Sequence, residues 1–257
     1  MNYRAAYHTD VGLTKKTNQD SLGIIIAETS QGQTAFGIVC DGMGGLAKGE
    51  LASKEVILAF ISWFDDKFMK EVNKGEYDTS KLNDEWNTII QTQNRKLGDY
   101  GRNNNLQLGT TISAILLYKG RYYIVHVGDS RIYQITGNSS YLLTNDQTFI
   151  AREIAAGRMT VEQSKTDPRR SVLLQCVGAS DIVEPEFSTG IVMPNTTYVI
   201  CSDGFRHQIS EQEMIAKIGP ENTPDEDSME NGCIYLTELV KQRKETDNIT
   251  VGLIKTV

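Results

Sequence analysis

Two stretches of the chain share one design. An apolar run over 35–40 ends in Asp41-Gly42-Met43-Gly44-Gly45, and a second over 196–201 ends in Ser202-Asp203-Gly204. Each delivers a carboxylate and then a glycine at the end of a strand-like segment. The carboxylate offers charge to a hard cation, and the glycine lets its own carbonyl approach the ion with no side chain in the way. Three further acids, Asp20, Asp129 and Asp247, stand beside strand-like runs or at their boundaries. Taken singly, any one of these acids reads better as part of a solvated turn, accepting a local hydrogen bond. As a set they form an all-oxygen donor group, which selects Mg²⁺ or Mn²⁺ over zinc or copper. Two such ions sharing a water lower its pKa and aim it at phosphorus. Carboxylates brought so close repel one another unless cations lie between them, so the metal would be structural for the site as well.

The elements that must position these acids follow from periodicity. Strands are expected over 4–12, 22–27 and 35–40, the last two joined by a turn at Gln31-Gly32-Gln33. Ala52, Val56, Phe60 and Trp63 recur at helical spacing, as do Leu82, Trp86, Ile90 and Leu97, so two long amphipathic helices follow, with a linker over 73–80 between them. Segments 112–118 and 121–127 read as a hairpin turning at Lys119-Gly120. Another strand is expected over 132–136. The stretch 144–180 is the least regular, with short helices near 149–156 and 160–164, as in flaps inserted over active sites. A strand over 196–201 precedes Asp203. Ser210 and Glu213 form a capping box, 221–231 reads as an exposed acidic loop, and a last helix carries Met229, Cys233, Leu236 and Val240. The final strand begins near Asp247. Hairpin signals outnumber strand–helix–strand units, and no linker divides the chain, so one α/β domain over 1–257, of the α+β type with mostly antiparallel strands, is expected.

Composition narrows the function. The chain has 257 residues, 39% of them hydrophobic, and a formal net charge of −7 from 26 basic and 33 acidic residues. An acidic chain with no basic block is a poor partner for nucleic acid or an anionic membrane. The four cysteines are far apart and mostly in apolar segments, which reads as reduced thiols in a cytoplasmic protein. With three histidines, a His-rich metal centre is not expected. The N-terminus lacks the pattern of a signal peptide, and no apolar run approaches the roughly 20 residues that span a bilayer. No broad exposed apolar stripe is evident, so a monomer is expected.

The ordered series Gly12…Asn18-Gln19-Asp20-Ser21, Asp41-Gly42-Met43-Gly44-Gly45, Gly109-Thr110-Thr111, Gly128-Asp129-Ser130-Arg131, Leu143-Thr144-Asn145-Asp146, Ser202-Asp203-Gly204 and Asp247-Asn248-Ile249-Thr250 resembles the metal-dependent Ser/Thr protein phosphatases of the PP2C type, most closely the small bacterial members. The resemblance covers essentially the whole chain. It implies a β-sandwich of two mostly antiparallel sheets flanked by helices, with a dinuclear Mg²⁺ or Mn²⁺ centre at one end. Asp41 would bridge both ions, Gly42 would give its carbonyl to one, and Asp203 and Asp247 would hold the other. Asp20 would support the centre, partly through water, and Asn248 would orient the waters or Asp247. Asp129 would belong to a third, weaker metal site. A bridging hydroxide would attack phosphoserine or phosphothreonine directly, reversing the work of a cognate Ser/Thr kinase, with the 144–180 flap choosing the phosphoprotein. Three departures stand out. Lys15 replaces the usual phosphate-binding arginine, keeping the charge but losing the bidentate fork. Met43 stands where many eukaryotic members have a histidine, and Gln147 replaces a histidine common in the flap. Arg131 is expected to be structural, through strand-to-strand hydrogen bonds, and not a phosphate ligand. The competing reading is a module that binds phosphoproteins without turnover; an intact carboxylate set argues against it.

Overall fold

The computed structural model describes residues 1–44, 48–164 and 166–257; Gly45 of the first acidic motif lies outside them. In chain order the strands are β1 (Tyr3–Asp10), β2 (Ser21–Thr29), β3 (Gly32–Cys40), β4 (Gly42–Met43), β5 (Gly109–Thr110), β6 (Ile112–Tyr118), β7 (Arg121–Val127), β8 (Arg131–Thr136), β9 (Ser139–Leu142), β10 (Glu186–Ile191), β11 (Thr196–Cys201) and β12 (Ile249–Thr256). The helices are α1 (Gly49–Trp63), α2 (Met69–Asn73), α3 (Leu82–Asn104), α4 (Phe149–Ala155), α5 (Val161–Ser164), α6 (Asp203–Arg206), α7 (Glu211–Ile218) and α8 (Glu226–Gln242). Two five-stranded sheets have the orders β1-β12-β11-β8-β9 and β10-β7-β6-β3-β2, and β4 pairs with β5 alone. Every pairing between these strands is antiparallel.

Alternation along β3 shows how the layers form. Ala35 and Val39 point into the space between the sheets with Ile115, Ile124, Tyr198, Ile200 and Ile254. Phe36, Ile38 and Cys40, from the opposite face of the strand, meet Phe60, Trp63 and Trp86 of α1 and α3. Val199 and Leu253, on the outer face of the other sheet, pack against Met214 of α7 and Leu236 and Val240 of α8. Four layers result, helix–sheet–sheet–helix, and the sandwich expectation holds.

The first long helix runs to the linker expected from 73, passing on the way through a π-helical turn, Phe64–Phe68, into α2. The wider turn keeps Phe64, Phe68 and Val72 buried after the α-helical phase has run out. The acidic 221–231 stretch is not a loop. Asp225 caps α8, its side chain accepting from the Ser228 amide in a capping box, and Glu226 and Asp227 occupy the first turn. Negative charge there complements the helix N-terminus, so the acids that suggested a solvated loop are the start of the helix.

Candidate metal centre

Register alone brings the five acids to one end of the sandwich. Asp20 precedes β2 and Asp41 follows β3, and Ser21 pairs with Cys40. Asp203 follows β11 and Asp247 lies just before β12, and Cys201 pairs with Val251. Cys201 also pairs with Arg131, which places the β7–β8 turn and Asp129 at the same edge.

Hydrogen bonds and close backbone contacts then fix four of the acids. The Asp41 amide donates to Thr111 Oγ1 at 2.9 Å, and the Asp41 carbonyl accepts from the Thr111 amide at 2.9 Å and Thr110 Oγ1 at 3.0 Å. The Gly109-Thr110-Thr111 motif is thus a socket for Asp41. Gly42 has a second reason to be glycine: a Cβ there would stand 2.2 Å from the Gly49 carbonyl oxygen and 2.5 Å from that of Gln19. Gly204 is under the same constraint, since its Cβ would lie 2.1 Å from the Asn248 carbonyl oxygen. That contact seats Asp203 against the Asp247 segment. Ser202 Oγ donates to Asp20 Oδ2 at 2.8 Å and accepts from the Thr250 amide at 3.1 Å, linking the two sheets beneath the acids. Asn248 is occupied by the loop it faces: its Oδ1 accepts from the Gln19 amide, and its Nδ2 donates to the carbonyls of Val11 and Thr17. It holds the segment bearing Lys15 and Asp20, and it orients Asp247 through its backbone amide, 2.8 Å from Asp247 Oδ1.

The electrostatics follow from this crowding. Burial and the neighbouring carboxylates Asp20, Asp203, Asp129 and Asp247 push Asp41 well above the ordinary carboxylate range. Burial pushes Asp20 up to about 7 against its hydrogen bonds from Thr250 and Ser202. Burial and Asp203 push Asp129 up to about 7, with Arg206 partly opposing them. Asp20 Oδ1 and Asp203 Oδ1 are buried with no hydrogen-bond partner. Lys15 Nζ stands 2.7 Å from Asp247 Oδ1. Burial works against its charge, but the hydrogen bond to Asp247 and the fields of Asp41 and Asp203 hold it above its ordinary value. Among the described residues no three His, Cys, Asp or Glu side chains already stand close enough to hold one ion together. The donor chemistry nonetheless fits divalent cations: orphaned carboxylate oxygens and a disfavoured cluster of like charges are what oxygen-bound Mg²⁺ or Mn²⁺ would relieve.

Two residues beside the acids, Arg206 and His207, belong to no motif in the sequence. Arg206 lies on α6 one turn after Asp203, and its Nη2 reaches the Asp129 carbonyl at 3.1 Å, Asp146 Oδ2 at 3.3 Å and Asp129 Oδ2 at 3.6 Å. His207 stands 3.6 Å from Asp203 Oδ2 and 3.5 Å from Glu245 Oε2. The Arg-His pair following Ser202-Asp203-Gly204-Phe205 was the only available hint. Arg131 does not act through strand-to-strand contacts alone: it forks onto Asp146 at 2.8 and 2.7 Å and donates to the Tyr133 hydroxyl at 2.9 Å. Gln147 Oε1 accepts from the Gly128 amide and from Gln175 Nε2, at 2.9 and 2.8 Å, tying the flap root to the turn that carries Asp129. Beyond that root, α4 and α5 overhang a cleft of about 1000 Å³ lined by Ile150, Ile154, Val161 and Leu174 on the flap side and by Arg206 and His207 on the metal side.

Known proteins share this fold. The profile of the protein phosphatase 2C family matches residues 8–229. Protein phosphatase PhpP of Streptococcus pneumoniae is 28% identical over 249 residues, covering 96% of this chain and 94% of that protein. The serine/threonine phosphatase structure from S. agalactiae superposes with a TM-score of 0.83 at 26% identity, covering 100% of both chains. The catalytic domain of the Ser/Thr phosphatase PstP, solved with two manganese ions, gives a TM-score of 0.78 at 26% identity over 98% of this chain and 97% of that one. A sandwich whose register gathers five acids at one edge, matched by that profile over most of its length, belongs to the protein phosphatase 2C family.

Proposed function

We propose that the chain is an active phosphatase that hydrolyses phosphoserine and phosphothreonine in proteins, with residues 1–257 forming one catalytic unit. The observation that carries this reading is the pair of buried, unpartnered carboxylate oxygens on Asp20 and Asp203, set beside an Asp41 that its neighbours disfavour as an anion. A fold without metal work to do would not leave such groups uncompensated. Asp41, the Gly42 carbonyl, Asp203 and Asp247 would hold two Mn²⁺ or Mg²⁺ ions, with Asp20 in support. Bound there, such ions supply an activated water and charge for the phosphoryl oxygens. The chain does the rest. Thr110 and Thr111 fix Asp41, Ser202 fixes Asp20, Asn248 holds the 11–19 loop against the centre, and Gly204 keeps the Asp203 and Asp247 segments in contact. The flap cleft is suited to the residues around the phosphoamino acid, because it opens beside α6 and is walled by apolar flap side chains. Among the described residues no helix is long and apolar enough to cross a membrane. A phosphoprotein, the product of a Ser/Thr kinase, is the substrate this reading supplies.

The test is phosphate release from a phosphothreonine peptide, with Mn²⁺ and with EDTA, by the wild type and Asp203→Ala. Release that needs both the metal and Asp203 supports the reading. A metal-loaded wild type that binds the peptide without releasing phosphate favours the binding module.

Lys15 is proposed to hold the substrate phosphate, supported by its half-exposed ammonium at the mouth of the acidic cluster. It must exchange Asp247 for the phosphate, and as a point charge it gives no bidentate grip. Lys15→Ala should raise KM about tenfold, the equivalent of roughly 1.4 kcal/mol, and leave kcat within a few-fold. Steady-state kinetics on the same peptide decides it: a collapse of kcat at unchanged KM would remove Lys15 from this role.

A further inference from the structure

Family resemblance places a third metal ion at Asp129, and the surroundings of Asp129 in this chain do not fit one. We propose that Arg206 occupies that position as a built-in cation, so that the centre works with two ions and closes the third site with its own side chain. The inference rests on the phosphatase reading, because it concerns the metal count of that centre.

Four charged side chains meet at the flap root. Arg206 Nη2 lies 3.6 Å from Asp129 Oδ2, 3.1 Å from the Asp129 carbonyl and 3.3 Å from Asp146 Oδ2. Arg131 forks onto Asp146 from the other side. The Arg206 and Asp129 side chains keep only 11% and 8% of their surface, so neither is neutralised by bulk solvent. Two guanidiniums face two carboxylates, and Arg206 already supplies positive charge at Asp129, where it partly opposes Asp203. A dication on Asp129 would place two further positive charges within contact distance of Arg206, in a partly dehydrated space where repulsion is poorly screened. Arg206 also cannot shed its charge to make room, since a guanidinium stays protonated in proteins. Nor can it easily swing away: it is on α6, directly after the Asp203-Gly204 segment that Asn248 packs against, and its Nη2 is anchored on three oxygens. Asp129 and Asp146 lie on the β7–β8 turn and the flap root, so Arg206 joins the metal-bearing helix to both. An ion would make that join depend on metal concentration; a side chain makes it permanent.

The experiment is a Mn²⁺ binding titration by calorimetry and native mass spectrometry, carried into the low-millimolar range, on wild type, Arg206→Ala, Asp129→Asn and the double variant. The wild type should saturate at two ions, and Asp129→Asn should lose none of them. Arg206→Ala should take up a third, at least about tenfold more tightly than any residual third event in the wild type, and the double variant should return to two. A wild type that binds three ions and loses one in Asp129→Asn overturns the proposal, and this comparison needs no Arg206 variant to fold. A folded Arg206→Ala that still binds only two also overturns it. A wild type that neither binds Mn²⁺ nor releases phosphate defeats the phosphatase reading and this proposal with it, whereas three ions in an active wild type defeat this proposal alone.

Discussion

Asp41→Asn is expected to lower kcat by more than about a hundredfold, because even the outer partners of metal ligands cost ten- to a hundredfold when removed. The same change should make the metal-free protein more stable. Asp41 is pressed on by burial and by four other carboxylates, all of which act against its charge. Replacing it with a neutral isostere removes that repulsion, and a gain of about 1–2 kcal/mol would raise Tm in EDTA by roughly 3–6 °C for a chain of this size. In Mn²⁺ the order should reverse, since the wild type gains binding free energy on folding and the variant loses much of it. The pH dependence follows with a definite sign. Asp20 and Asp129 are pushed up to about 7, and Asp41 is raised well above the ordinary carboxylate range. The folded, metal-free protein therefore binds more protons than the unfolded chain between about pH 4 and pH 7. Their contribution to stability is fully present below the ordinary carboxylate pKa and is lost as pH rises through 7, so Tm in EDTA should fall from pH 5 to pH 8. Stabilisation by Mn²⁺ should grow over the same range, because the ligands must be ionised to bind. Thermal melts at several pH values, with and without metal, check both slopes. A metal-free Asp41→Asn that melts no higher than the wild type would show that the carboxylates are too far apart to repel.

Much of this centre was legible because strand ends are legible. An apolar run that stops at an acid followed by glycine states both where the strand ends and what it carries, and Asp41 and Asp203 were found that way. Gly42 and Gly204 have one reason that can be read locally, a carbonyl free to approach an ion, and a second that cannot: their lack of room against the Gly49, Gln19 and Asn248 carbonyls depends on how the chain folds back on itself. Asn248 belonged to a recognisable motif, yet its hold on Val11, Thr17 and Gln19 is a contact across more than 200 residues, which no local pattern encodes. The 221–231 segment misled for a different reason. Acidic residues suit both a solvated loop and the first turn of a helix, and only the Asp225–Ser228 capping box separates the two. Nothing local marks Arg206, because an arginine in a short helix is ordinary until its burial is known. Its significance comes entirely from which carboxylates the fold has placed beside it.

Asp146 carries the second large effect, on stability. It accepts the Arg131 fork at 2.8 and 2.7 Å and lies 3.3 Å from Arg206, and only 16% of its side-chain surface is exposed. Burial alone would raise its pKa, but the hydrogen bonds from Arg131 and the charges of Arg206 and Arg131 hold it below the ordinary range. Asp146→Ala takes from Arg131 its carboxylate partner and leaves Arg206 with Asp129. Breaking a buried pair by removing one partner costs about 3–5 kcal/mol, because the other charge stays buried without compensation. Urea denaturation of the metal-free protein should show that loss. Asp146→Asn should fall between the wild type and Asp146→Ala, since the amide oxygen can still accept from Arg131. The double variant Arg131→Met/Asp146→Leu should be less destabilised than Asp146→Ala, because it removes a charge together with its partner and refills the space with apolar volume. That ordering is what separates a buried ion pair from an exposed one. A loss of less than about 1 kcal/mol in Asp146→Ala would place the pair among solvent-screened surface contacts, and the flap root would then owe its position to the Gln147 hydrogen bonds and to the backbone bonds between Gln147 and Leu174 and between Phe149 and Val172.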